Sequence, residues 1–166
     1  MDPRELLGMI AFFSEALNGD EIFALASGAE RRTFNAGEAL VREGDPGESM
    51  FVIESGQVAV KVGSETVTDL FAGDFLGEMS LLTGAPRNAT VTAVEPVAAY
   101  EIRKHVLAPV LAGSPTLVER LAETMEKRQI ELDRAYGSGA WGMLRPGDAE
   151  LHSLIRKFYE SETGKE

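Results

Sequence analysis

The sequence predicts an α+β domain in which an antiparallel sandwich, roll or barrel stands between helices. Three observations carry this. Residues 3–30 place apolar side chains at helical spacing, residues 31–103 break into short β-rich runs separated by glycine, and from Lys104 the helical period returns.

In the first region Leu6, Leu7, Ile10, Phe13 and Leu17 form one amphipathic stripe. A second short helix is expected from about Gly19, with Asp20 near its start and Ile22, Leu25 and Ala26 apolar. The middle region is punctuated by Gly37, Gly44, Gly47, Gly56, Gly63, Gly73, Gly77 and Gly84. Between them Met50–Ile53, Val58–Val62, Thr66–Leu70, Ala89–Val94 and Val97–Ile102 read as strands, and Val58, Val60 and Val62 alternate as a half-buried strand should. After Lys104, the residues Val106, Leu107, Val110 and Leu111 make a short helix, stopped by Gly113, Ser114 and Pro115. A longer helix runs on to Tyr136, with Ser114 as N-cap, Pro115 in the first turn, and a stripe of Leu117, Val118, Leu121, Met125 and Leu132. The expected organisation is therefore one domain over residues 1–136, then a Gly-rich linker and an amphipathic C-terminal helix over 137–166, its stripe being Leu151, Leu154, Ile155 and Phe158.

Composition narrows the chemistry. The 166 residues contain no cysteine, which excludes disulfides, a thiol nucleophile and thiolate-bound metal. Only His105 and His152 supply imidazole, too little for a histidine metal site or a triad. Neither an enzyme nor a bound cofactor is expected. The formal charge of −11 opposes nucleic acid and anionic lipid, which bind largely through phosphate neutralisation. There is no apolar run of membrane-spanning length and no signal-peptide pattern at the N-terminus, so a cytoplasmic location, or the cytoplasmic face of a membrane protein, is expected.

The stretch Gly73–Ala93 is the most informative. Gly77 is expected to end a strand and open a helix of barely two turns before Gly84. The start of a helix leaves N–H groups unpaired and partially positive, which suits an anion. Glycine lets a ligand approach the backbone, because no Cβ intervenes. Arg87 follows ten residues later, after Pro86 sets the turn, so a guanidinium can return to the same place. Glu78 is odd beside a site for a negative charge, unless the ligand also offers a hydroxyl donor.

The stretch resembles the phosphate-binding cassette of cyclic-nucleotide-binding domains, whose pattern runs Phe-Gly-Glu-(Leu/Met)-(Ala/Ser)-Leu, a short gap, then Pro-Arg-(Ser/Thr/Ala)-Ala-Thr-Val. Here the two halves are Leu76–Leu81 and Pro86–Val91. The segments Phe34–Asp45 and Met50–Val58 are similar to the family's early strands and their Gly-Glu and Gly-Asp turns, so the likeness spans roughly residues 5–135. It implies a β-roll of jelly-roll type, flanked by N-terminal helices and closed by a C-terminal lid helix. Carried over by position, it implies that Arg87 pairs with a cyclic phosphate, helped by backbone N–H groups around Met79, Ser80, Asn88 and Ala89. Glu78, supported by the Gly77 backbone, would accept from a ribose 2′-hydroxyl, and Arg128 and Leu132 would cap the base.

Two departures stand out. Leu76 replaces the usual Phe, a modest apolar exchange, and Asn88 stands where Ser, Thr or Ala is usual. A hydroxyl there goes with guanine and a small apolar residue with cAMP; the expected ligand is cAMP ahead of cGMP. The resemblance implies a regulatory module whose lid helix closes on the nucleotide and signals to an attached or partner effector. A membrane channel is the first candidate, because the Leu154–Phe158 ending resembles tails of bacterial mechanosensitive-type channels. The competing reading is a degenerate, ligand-free β-roll that serves as an interaction domain. A helix-turn-helix effector within this chain is not expected: about 30 residues follow Tyr136, with one apparent helix and few basic residues.

Overall fold

A computed structural model describes residues 2–15, 17–77, 86–87, 89–113, 116, 118–120 and 123. Three helices come first: α1 (Pro3–Met9), α2 (Ala11–Ser14) and α3 (Gly19–Gly28). Eight strands follow among the described residues: β1 (Glu30–Phe34), β2 (Ala39–Val41), β3 (Ser49–Ser55), β4 (Val58–Val62), β5 (Glu65–Leu70), β6 (Phe75–Leu76), β7 (Thr90–Ala93) and β8 (Val97–Arg103). Helix α4 (Lys104–Ala112) closes the series. Thr116, Val118–Arg120 and Glu123 are also helical, within the long helix expected after Ser114; the remainder of that helix and the tail lie outside the described residues.

The strands form two antiparallel sheets, in the orders β1-β8-β3-β6 and β2-β7-β4-β5. Strand β3 shows how the layers are built. Its side chains alternate between faces, as any strand's must. Met50 and Val52 join a core with Leu6, Leu7, Phe13, Leu25 and Ile102, under the helices. Phe51 and Ile53 point the other way, into a second core between the sheets with Val58, Val60, Leu76, Val91 and Ala99. A continuous apolar run is what a strand covered on both faces requires. Strand β8 divides likewise: Tyr100 and Ile102 face the helices, Val97 and Ala99 the roll.

The amphipathic stripe of the first region does not form one helix. It breaks at Ile10, whose backbone is extended and whose N–H bonds the Leu7 carbonyl. Gly8, the weakest helix former in α1 after its first turn, sits just before the break. The interruption still allows Leu6, Leu7, Phe13 and Leu17 to enter one core, where Phe13 meets Phe75 edge-on at 5.9 Å between ring centres. Helix α3 is started by a reciprocal cap: the Asn18 side chain accepts from the Glu21 N–H at 2.8 Å, and the Glu21 carboxylate from the Asn18 N–H at 2.9 Å. It ends at Gly28, and the chain is a strand from Glu30. Among the described residues no helix is long and apolar enough to cross a membrane.

Candidate functional site

Strand β6 is only two residues long, yet it delivers Gly77 to the site. It pairs with β3 through Phe51 with Leu76 and Val52 with Phe75, so Gly77 leaves the ladder beside Met50. Gly77 then adopts φ +85°, in the left-handed region that side chains disfavour. Space reinforces conformation here. A Cβ on Gly77 would lie 2.7 Å from Arg87 Nη1, 3.0 Å from the Ser49 carbonyl oxygen and 3.4 Å from Met50 Cα.

Arg87 arrives from the opposite direction and is held at both ends. Its backbone is bound by the turn after β2: the Arg87 N–H donates to the Asp45 carbonyl at 2.8 Å, and the Gly44 N–H donates to the Arg87 carbonyl at 2.8 Å. Nearby, Thr90 Oγ1 accepts from the Glu43 N–H at 2.9 Å and Glu43 Oε1 from the Gly63 N–H at 3.0 Å, so this turn is fastened to β7 and to the β4–β5 hairpin. At the other end, Nη1 donates to the Gly77 carbonyl at 3.2 Å. The residue is only 8% exposed, unusual for arginine, whose charge normally seeks water. A guanidinium has five N–H donors, and the backbone contact fixes the orientation of the plane on which the others lie.

The sequence places Arg87 near the Gly77 amide; the contact found is to the Gly77 carbonyl. A carbonyl acceptor holds the cation in place, whereas an amide would repel it. Of the other expected site residues, Ala89 is buried and its methyl packs in the core between the sheets, one residue before β7. Glu78, Met79, Ser80, Asn88, Arg128 and Leu132 lie outside the described residues. Gly77 and Arg87 are therefore the pair brought together across ten residues of chain.

Sequence reasoning missed two sets of residues near this pair. Gly44 and Asp45 read only as a turn between early strands, yet they bond the Arg87 backbone on both sides. Ser49 and Glu101 were not singled out. Ser49 Oγ donates to Glu101 Oε2 at 2.7 Å, and both residues are buried. Glu101 Oε1 takes Arg32 Nη1 at 2.6 Å and Arg103 Nη2 at 3.5 Å, so both carboxylate oxygens are occupied. The available signal was a lone carboxylate within the apolar strand Val97–Ile102.

Comparison with known proteins gives this geometry a context. A family model described as the cyclic nucleotide-binding domain matches residues 31–114, just over half of the chain. A cAMP-dependent protein kinase regulatory subunit of Hypocrea atroviridis is 35% identical over 107 residues, covering 64% of this chain and 23% of that protein. A cGMP-dependent protein kinase of Eimeria tenella is 28% identical over 146 residues, covering 82% of this chain and 14% of that protein. A cyclic nucleotide-gated potassium channel of Rhizobium etli is 30% identical over 125 residues, covering 75% of this chain and 35% of the channel. The chain thus spans well under half the length of these relatives. Among solved structures, a cyclic nucleotide-binding domain from Methylobacillus flagellatus KT superposes with a TM-score of 0.67 at 26% identity, covering 81% of this chain and 80% of that one. A cAMP-bound PfPKA-R fragment (141–441) gives 0.71 at 19% identity, covering 85% and 49%, a likeness of fold. With the two-sheet roll, the helical layer and the Gly77–Arg87 pair already in place, the match over residues 31–114 settles the family: the chain belongs to the cyclic nucleotide-binding domains.

Proposed function

We propose that the chain is a cyclic-nucleotide-sensing regulatory module in which Arg87 neutralises the cyclic phosphate at the end of β6. The observation that supports this most directly is the buried Arg87 guanidinium, seated on the carbonyl of a left-handed glycine. A guanidinium presents several N–H donors in one plane, a geometry that matches phosphate oxygens. In a protein of net charge −11 an anionic ligand needs such a local device to bind at all.

In this reading Glu78 accepts from the ribose 2′-hydroxyl, and the N–H groups of Met79, Ser80, Asn88 and Ala89 share the phosphate charge. Arg128 and Leu132 cap the base, and the helix that carries them closes on the ligand. Closure shifts a pre-existing equilibrium only as far as the ligand prefers the closed state. The preferred ligand is cAMP, with cGMP weaker, because Asn88 lacks the hydroxyl that goes with guanine at this position; cAMP-dependent and cGMP-dependent relatives both match the chain. The module binds without catalysing, and its signal passes to an effector, for which a membrane channel is our first candidate on the likeness to the Rhizobium etli protein.

The test is calorimetric titration with cAMP, cGMP and 5′-AMP. A charge-assisted hydrogen bond contributes roughly 1.5–3 kcal/mol, or about one to two decades in affinity. Arg87→Ala should therefore weaken cAMP binding at least tenfold; an unchanged affinity refutes the phosphate role. A melting temperature that does not respond to millimolar cAMP or cGMP would instead mark the roll as a ligand-free interaction domain.

A further inference from the structure

Strand β3 supplies the wall against which Gly77 stands, since a Cβ there would meet the Ser49 carbonyl oxygen and Met50 Cα. Its position along the sheet therefore decides where the Gly77 carbonyl lies, and with it the Arg87 guanidinium. The apolar run Met50–Ile53 defines that position poorly. A slip of two residues would keep every side chain on its own face and still fill one of the two apolar sites on each face with an apolar side chain. Ser49 is different. It lies on the face that Phe51 and Ile53 present to the roll, and it reaches a carboxylate of β8 already engaged by Arg32 and Arg103. Slipping β3 in either direction would break this bond and leave a buried carboxylate oxygen without its hydroxyl donor.

A buried ionic cluster is weak evidence for stability, because desolvation offsets much of its attraction; fixing a register is its better-attested use. We infer that Ser49 and Glu101 are positioning residues for the anion site: their hydrogen bond sets the register of β3 on β8, and so holds the Gly77 carbonyl where it seats Arg87. Neither residue touches the ligand. This inference rests on the reading of Arg87 proposed above.

The experiment uses the full chain, with Ser49→Ala and Glu101→Gln. The amide of Gln still offers an oxygen to the Ser49 hydroxyl, whereas Ala removes the donor. Two quantities are read: cAMP affinity by calorimetry, and the NMR resonances of the Arg87 guanidinium and the Gly77 amide. Expected for Ser49→Ala are a three- to tenfold weaker affinity and displaced resonances; for Glu101→Gln, an affinity within about twofold of the parent. The inference is overturned if Ser49→Ala leaves either the affinity or the resonances unchanged, or if Glu101→Gln falls as far as Ser49→Ala. Should the parent bind neither cAMP nor cGMP, the phosphate reading fails on its own. The resonances then decide the positioning role: displacement upholds it and constancy overturns it.

Discussion

Gly56 and Gly77 have almost the same backbone conformation and opposite meanings. Both lie in the left-handed region, at φ +95° and +85°, and both are tightly enclosed. A Cβ at Gly56 would come within 2.5 Å of the Pro96 carbonyl oxygen and 3.0 Å of Val97 Cα, the backbone that enters β8. At Gly77 the nearest atom, at 2.7 Å, is the end of a cationic side chain. Conformation alone shows that each position suits glycine. What presses against it separates a glycine that closes the fold from one that makes room for a charge.

This comparison can be broken by measuring stability and cAMP affinity separately in the two alanine variants. Gly56→Ala should show the largest loss of stability. The left-handed conformation costs a side chain roughly 1–2 kcal/mol, and overpacking against backbone adds about 1–3 kcal/mol. Affinity of the protein that remains folded should stay within about twofold. In Gly77→Ala the strain is the same and the guanidinium can swing aside, but the Ser49 carbonyl oxygen at 3.0 Å must also give, so the stability loss should exceed the strain of roughly 1–2 kcal/mol while staying below that of Gly56→Ala. Its cAMP affinity should fall at least tenfold, as in Arg87→Ala. If thermal melts and calorimetry rank the two variants the same way, the distinction is wrong.

How much of this could be read from the sequence follows from where the forces are local. Strands β3, β4, β5, β7 and β8 carry their own alternation or apolar runs and were visible as such. Strand β6 showed only through Gly77, expected to end a strand, β2 only through the family likeness of Phe34–Asp45, and β1 beyond Phe34 not at all. Four of the five residues of β1 are exposed, and β2 and β6 hold three and two residues; they exist because a neighbour offers a ladder. The Gly77–Arg87 meeting was legible because ten residues and a proline leave the chain little choice. The Ser49–Glu101 bond joins residues 52 apart and depends on which strands pair, information no local pattern holds. Similarly, Asn18 and Glu21 signal the start of α3 locally, while the break at Ile10 shows in no periodicity, because the apolar spacing runs straight through it.

A third glycine sharpens the contrast. Gly28, the last residue of α3, has an ordinary backbone, but a Cβ there would lie 2.6 Å from both methyl carbons of Val106 in α4. Gly28→Ala should cost about 1–3 kcal/mol by overpacking, with Val106→Ala restoring most of it. This contact lies between α3 and α4, so cAMP affinity should not change by itself. A concurrent loss of affinity would show that the seating of α4 on α3 is transmitted to the site.

The smallest effect expected is at Arg120, and there the division between fold and site is most exposed to refutation. Arg120 Nη1 meets Glu15 Oε1 at 3.1 Å, with side chains 40% and 58% exposed. Val118 packs beside it on the core beneath the helices. Such a surface pair contributes about 0–1 kcal/mol and weakens with salt, so Arg120→Ala should leave the melting temperature almost unchanged. Yet the pair joins the start of the C-terminal helix to the N-terminal helical layer. If that helix must change its seating to cover a ligand, releasing the pair should alter cAMP affinity without altering stability, the reverse of Gly56→Ala. Equal affinity in Arg120→Ala and the parent, measured at low salt where the pair is strongest, would show that this contact stays in place when ligand binds.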